Sequence, residues 1–495
     1  MTIVQFGLFI GELATFVRQS TGPRNPTTGT SNRKGTMSTA ASVDTSTTDP
    51  TIRRRRAIRG AFFGFLVDSL DIYLPSVALL PALIYFTQGL DPAQTALVAG
   101  FTLAATLFGR PIGAILFGHL SDRLGRKRVG AIAIYGFSAI TLLIAFLPGA
   151  EQIGGPAAIT LLLVLRFIDG IFLGGEYTAA TPMAIEYAKT NRRGLVGGFV
   201  QSASTVGYLA IGLFTFIALQ IAPAAAIDSP YVQWGWRIPF VVGAVFGFVV
   251  ARFLRKDVEE SVIWITAEKA KNPLREMLQR KNIASFIQVF VLMTGVFFMV
   301  NMVGSVVPQL IIGRGFTPTQ FSLSVIFANI VVPGAYMLSG ALSDKFGRKP
   351  VLIFAGALVL LVMTTLFYIL GSDIPLPFGV LIAVIFFVQC VNGFTIGTLP
   401  SYINERFPTR VRSSGWGIGY SLAVIIPGFF AAYQAGLSSF MPLSLTPVVL
   451  LAIAGVLIIG SVLASPETRG IDLSGTDMMS GTARKKVPTG VETGA

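Results

Sequence analysis

Three ionisable residues stand close together in an otherwise apolar stretch, "RFIDGIFLGGEY": Arg166, Asp169 and Glu176. On a helix, Arg166 and Asp169 are i,i+3 neighbours. Asp169 and Glu176 fall almost on one line, about 10 Å apart along the axis, so all three share one face. A second i,i+3 pair, Asp68 and Asp71, interrupts another apolar stretch, "FLVDSLDIYLP". In hydrocarbon each such charge costs at least about 2.5–3.5 kcal/mol. Burial favours the neutral carboxylic acid, whereas an adjacent arginine favours the carboxylate. A carboxyl poised between these influences is suited to binding and releasing a proton. Arg166 is suited to gripping a carboxylate bidentately, which lysine cannot do. Purely structural roles compete with these: Arg166–Asp169 as a permanent ion pair pinning helices, and Glu176 hydrogen-bonded to a neighbouring backbone. A buried pair is often no more stable than an apolar replacement, which favours a functional role.

These residues must be carried by helices in a membrane. Of 495 residues 53% are apolar and only 13% charged, with a mean hydropathy of +0.69; soluble domains carry roughly a quarter charged residues. A helix needs about 20 apolar residues to cross the hydrocarbon. The chain offers twelve such runs, near 60–86, 94–118, 129–148, 157–185, 195–221, 236–254, 283–310, 320–342, 350–370, 376–401, 412–437 and 443–464. The net charge of +14 could suggest nucleic acid, but the basic residues collect on one side: Arg53–Arg56, Arg123–Arg128, Arg192–Arg193, Arg252–Lys281, Lys345–Lys349 and Arg406–Arg412. The other side has Arg237 and Arg314. That asymmetry sets orientation, with both termini cytoplasmic, and calls for no nucleic acid. One histidine, His119, and one cysteine, Cys390, leave no basis for a metal site or an internal disulfide, and no cofactor is expected.

Residues 1–56 are Ser/Thr/Pro-rich and are expected to be disordered; residues 466–495 read as a polar cytoplasmic tail. Between them the chain repeats itself. "GHLSDRLGRKRV" at 118–129 returns as "GALSDKFGRKPV" at 340–351, and "IEYAKTNRRG" at 185–194 is echoed by "INERFPTRVR" at 403–412. The expected organisation is an N-terminal six-helix bundle over 57–254, a cytoplasmic linker over 255–282 and a C-terminal bundle over 283–465. Two such halves in parallel repeat are the architecture of a secondary transporter.

The doubled G-x-L-S-D-x-x-G-R-K resembles the loop signature of the major facilitator superfamily. Within it the chain is most similar to metabolite:proton symporters, through "GGEYTAATPMAIE", "RRG" at 192–194, "QSASTVG", "WGWRIPF", "YINERFPTRVRSSGWGIGY" and "PETRG". The Asp68-x-x-Asp71 arrangement is closer to aromatic-acid and sialic-acid symporters, and Asp169 stands where the superfamily pattern R-x-x-Q-G has glutamine. The resemblance implies import of a small organic acid or zwitterionic osmolyte with protons. It also implies a breakable ion-pair latch on the cytoplasmic side, formed by Asp122, Arg123, Arg126 and Lys127 and by their repeat Asp344, Arg348 and Lys349. Glu186 and Glu405, at helix ends facing basic loops, are read as latch partners, and Arg110 as part of the same gate rather than a substrate contact.

Aligning the repeat puts Gln389 opposite Arg166 and Asn392 opposite Asp169, and helices seven to twelve hold no Lys, Arg, Asp or Glu well inside a span. Proton coupling is therefore expected in the N-terminal half, at Asp68, Asp71, Asp169 and Glu176. Arg166 is expected to anchor the substrate, with Tyr73, Gln201, Tyr208, Asn301, Gln389, Asn392 and Tyr420 shaping its site. The reading is a symporter importing a small organic anion across the cell membrane, acting as a monomer. A sugar, polyol or phosphate symporter, a non-transporting receptor and a drug antiporter are the alternatives. No enzyme signature is present, including a G-x-x-x-x-G-K-[ST] loop for ATP.

Overall fold

The computed structural model describes residues 49–473 apart from 224–225 and 316–317. Among the described residues the chain is all-helical. We number the long helices α1 (Pro50–Tyr85), α2 (Pro92–Leu124), α3 (Arg126–Ala145), α4 (Gly155–Tyr187), α5 (Thr190–Ile221), α6 (Tyr231–Asp257), α7 (Asn282–Ile311), α8 (Pro318–Phe346), α9 (Arg348–Gly371), α10 (Phe378–Glu405), α11 (Thr409–Leu437) and α12 (Leu443–Leu463). Eleven are long and apolar enough to cross a membrane. The other, α8, is a 29-residue helix in the place of the expected eighth span, and several of its side chains lie outside the described residues.

The expected boundaries shift at three places. The first helix begins within the segment expected to be disordered: Asp49 caps it by accepting the Thr51 amide at 2.7 Å, and Pro50 supplies a pre-set φ at the first position. Residues 1–48 lie outside the described residues. The linker is not featureless, since it forms two helical turns, Val262–Thr266 and Pro273–Met277. The tail does not leave the protein after α12; residues 466–473 fold back, and Leu473 is fully buried.

The repeated loop makes one tight turn twice. Gly125 between α2 and α3 and Gly347 between α8 and α9 have φ of 104° and 110°, which a side chain would resist. Within the N-terminal half α4 packs on α2 and α3, and α1 on α5; within the C-terminal half α7 and α9 pack on α12, and α8 on α10. The halves meet along two seams, α2 with α11 and α5 with α8. Small residues permit the approach: a Cβ on Gly340 would collide with the Gly194 carbonyl, and one on Gly198 with the Tyr336 carbonyl. α1 and α7, equivalent helices of the repeat, are each interrupted by a π-helical turn, at Pro75–Leu79 and Met302–Val306.

Candidate functional site

At the end of the bundle carrying the repeated loops, each half reaches into the other. Asp122 of α2 accepts the backbone amides of Ser413 (3.0 Å) and Ser414 (2.8 Å), in the first turn of α11. Asp344 of α8 accepts those of Gly194 and Leu195, both at 2.8 Å, in the first turn of α5. Each carboxylate thus satisfies donors, and complements the positive end, of a helix from the opposite half. A second tier repeats as faithfully. Glu186 is ion-paired with Arg126 of its own half and Arg412 of the other. Glu405 is paired with Arg348 of its own half at 3.0 Å and lies 3.9 Å from Arg193 of the other.

A third tier was not anticipated as part of the site. Glu260 accepts the Lys127 amide at 3.0 Å, and Glu467 accepts the amides of Arg348 (2.9 Å) and Lys349 (3.0 Å), closing the starts of α3 and α9. Burial pushes the Glu260 carboxyl above its ordinary range, opposed by the backbone amides it accepts. Of the expected latch residues, Arg123 lies apart from the interlock: it is exposed and approaches His119 at 3.3 Å. Lys349 donates its ammonium to the Leu463 and Ser465 carbonyls, both at 2.9 Å. Arg193 and Arg412 were missed as gate residues. The signal was present, because the spacing of Glu186 and Arg193 recurs at Glu405 and Arg412.

Deeper in the bundle the charges of the N-terminal half form two clusters. Arg110 is not at the gate. Its Nη2 donates to both oxygens of Asp68, at 2.7 and 2.9 Å, while its buried Nε has no partner. The second cluster centres on Arg166, whose Nη1 lies 2.9 Å from Asp169 and 3.2 Å from Asp71; Thr141 donates to the other Asp71 oxygen. The Arg166 side chain is 0% exposed and that of Arg110 13%, so Arg110 is the more accessible of the two, although the Nε of each is buried without a partner. Arg166, expected to hold substrate, is sealed inside its half. Glu176 is buried with neither oxygen hydrogen-bonded, and it faces Gly64 of α1, where a Cβ would come within 2.6 Å of its Oε1.

Around Arg110 the halves contribute aromatic rings. Tyr177 and Tyr420 lie 4.5 Å apart, ring to ring, across the seam. Trp416 stacks on Tyr177 at 5.7 Å, Phe297 meets Tyr420 at 5.1 Å, and Tyr73 meets Tyr208 at 4.8 Å. Gln201 accepts from the Tyr177 hydroxyl at 3.4 Å. Asn301 is engaged elsewhere, donating to the Pro427 carbonyl at 2.9 Å, where α11 is broken. Asn392 keeps a buried, unpartnered carbonyl oxygen, and Gln389 is half-buried on the same helix, α10. No group of three or more potential metal ligands occurs among the described residues.

Comparison with known proteins fits this geometry. The family model described as Major Facilitator Superfamily matches residues 61–432. The chain is 32% identical to the alpha-ketoglutarate permease of Escherichia coli K12, over 79% of this chain and 88% of that protein. It is 29% identical to the inner membrane metabolite transport protein YhjE of the same organism, over 85% and 96%, and 28% identical to its proline/betaine transporter, over 77% of each. Among solved structures, the proton:xylose symporter XylE superposes with a TM-score of 0.69 at 19% identity, covering 86% of this chain and 98% of that one. FucP superposes with a TM-score of 0.64 at 16% identity, covering 82% and 98%.

Proposed function

The chain belongs to the major facilitator superfamily as a multi-pass membrane transport protein, and on that premise we propose that it is a proton-coupled symporter importing a small carboxylate-bearing metabolite by alternating access. The concentration of basic loops at the interlocked end supports reading that end as cytoplasmic, and with it the conformation as closed on that side. The observation that carries the substrate class is Arg110. Asp68 engages a single nitrogen of its guanidinium, and the side chain keeps 13% exposure where that of Arg166 has none, so it has donors to offer an incoming carboxylate. The rings of Tyr177, Tyr420 and Trp416 give that carboxylate an apolar, adaptable wall drawn from both halves. The chemistry of the relatives agrees: alpha-ketoglutarate, proline and betaine all carry a carboxylate.

The proton is carried by the Asp71–Asp169 pair on Arg166. One guanidinium cannot neutralise two buried carboxylates, so one of the two holds a proton while the site is dry. Opening the cytoplasmic side admits water, which solvates the carboxylate and releases the proton. The test is purified protein in liposomes with an acidic exterior, challenged with labelled mono- and dicarboxylates, betaines, sugars and phosphate. Accumulation of one or more carboxylate-bearing compounds supports the reading; uptake of sugars or phosphate alone overturns it.

A further inference from the structure

We propose that Glu176 is a second proton-binding carboxyl, separate from the Asp71–Asp169 pair, so that two protons move with each substrate. The proposal rests on the symport reading above and adds a stoichiometry to it. Among the described residues, the core of the N-terminal half contains four buried carboxyls and two guanidinium groups, arranged two to one in each cluster. Arg110 donates to both oxygens of Asp68, which makes that pair neutral. Glu176 is then the third member, with no donor to either oxygen and no exposure to water to speak of. An ionised carboxyl in that position would lack both a counter-ion and a hydrogen bond, a combination proteins avoid in their interiors.

The neighbouring helices α1, α2 and α3 agree. From α1 the carboxyl faces Gly64, and the Ile134 side chain of α3 lies against the same spot; among the described residues no cation forms an ion pair with it, and Arg110 of α2 is already paired with Asp68. Gly64 is the seat: any side chain there would occupy the space of the Glu176 carboxyl. Asp71, Thr141 and Asp169 make their contacts with Arg166 and with one another instead. Before substrate binds, each cluster therefore needs one proton to be neutral in the cytoplasm-closed state, and each loses it when water enters from the cytoplasm. In each case a carboxylate and a proton combine to the acid and separate again, with no other bond changed.

The deciding measurement is the proton-to-substrate ratio, from reversal potentials of labelled substrate flux in proteoliposomes, for the wild type, Glu176→Gln, Asp169→Asn and the double variant. The expected ratios are two, one, one and zero, with the double variant still exchanging substrate at equal pH. A wild-type ratio of one overturns the proposal, as does a ratio of two that persists in Glu176→Gln or a complete loss of coupling in Asp169→Asn. If Glu176→Gln neither accumulates nor exchanges substrate, Asp169→Asn decides: a ratio of one supports the second site, zero or two refutes it. Absence of any gradient-driven carboxylate uptake by the wild type would instead remove the symport reading itself.

Discussion

The two arginines of the N-terminal core look interchangeable in the sequence and are not so in the fold. Helical spacing alone identified the Arg166–Asp169 contact, an i,i+3 pair that meets at 2.9 Å. The partners that decide each arginine's role were not readable, because Arg110 meets Asp68 across 42 positions and Arg166 meets Asp71 across 95. Spacing within one helix says nothing about which neighbouring helix arrives, and so the substrate anchor was sought at Arg166 and is proposed at Arg110. Replacing Arg110 by Lys keeps the charge but removes the planar two-edged donor. Initial uptake rates in proteoliposomes should fall at least about tenfold, corresponding to roughly 1.4 kcal/mol of lost binding. Unchanged uptake would return the anchor role to another residue. Gly64→Ala, by intruding on Glu176, should reduce gradient-driven uptake more than exchange at equal pH, measured side by side.

At the scale of helices, the duplicated loops were legible as a repeat, and the turn geometry at Gly125 and Gly347 follows from it. What the loops hold was legible only in part: Glu186 and Glu405 pair with Arg126 and Arg348 as expected, but the partners of the two aspartates across the seam were not foreseen. The carboxylates of Asp122 and Asp344 bind backbone amides, and backbone donors leave no signature in side-chain identity. Cross-half capping of this kind resembles N-capping, worth about 0.5–2 kcal/mol per site. Asp122→Asn or Asp344→Asn should therefore shift the carrier toward the cytoplasm-open state by roughly a few-fold each, and the double change should shift it further. A single cysteine introduced at Ser414 and labelled from the cytoplasmic side reports this as faster modification; labelling no faster than in the parent would show that the interlock does not hold the gate. Gly340→Ala, which collides with the Gly194 carbonyl, should act in the same direction through sterics alone.

At the scale of the whole molecule, hydropathy was enough to announce an all-helical, multi-span membrane protein, since burial in lipid leaves so few backbone solutions. The halves differ in labour. Charges gather in the first, while the second contributes Trp416 and Tyr420 across the seam, with Phe297 packed against Tyr420. The fold also uses chain that looked like tail. The Leu473 carbonyl accepts from Thr409 at 2.7 Å and Arg412 at 3.3 Å, and the Ile471 carbonyl from Arg193 at 2.6 Å, so the segment after α12 ties both halves at the closed end. Its polar sequence gave no hint, because the bonds are made by carbonyl groups. The central claim, that this machinery couples inward carboxylate movement to protons, is tested most directly by adding an accumulated carboxylate to proteoliposomes that contain a pH-sensitive dye and no imposed gradient. The account predicts that the lumen acidifies with substrate entry and that Asp169→Asn with Glu176→Gln abolishes the signal. Substrate entry without acidification would contradict it.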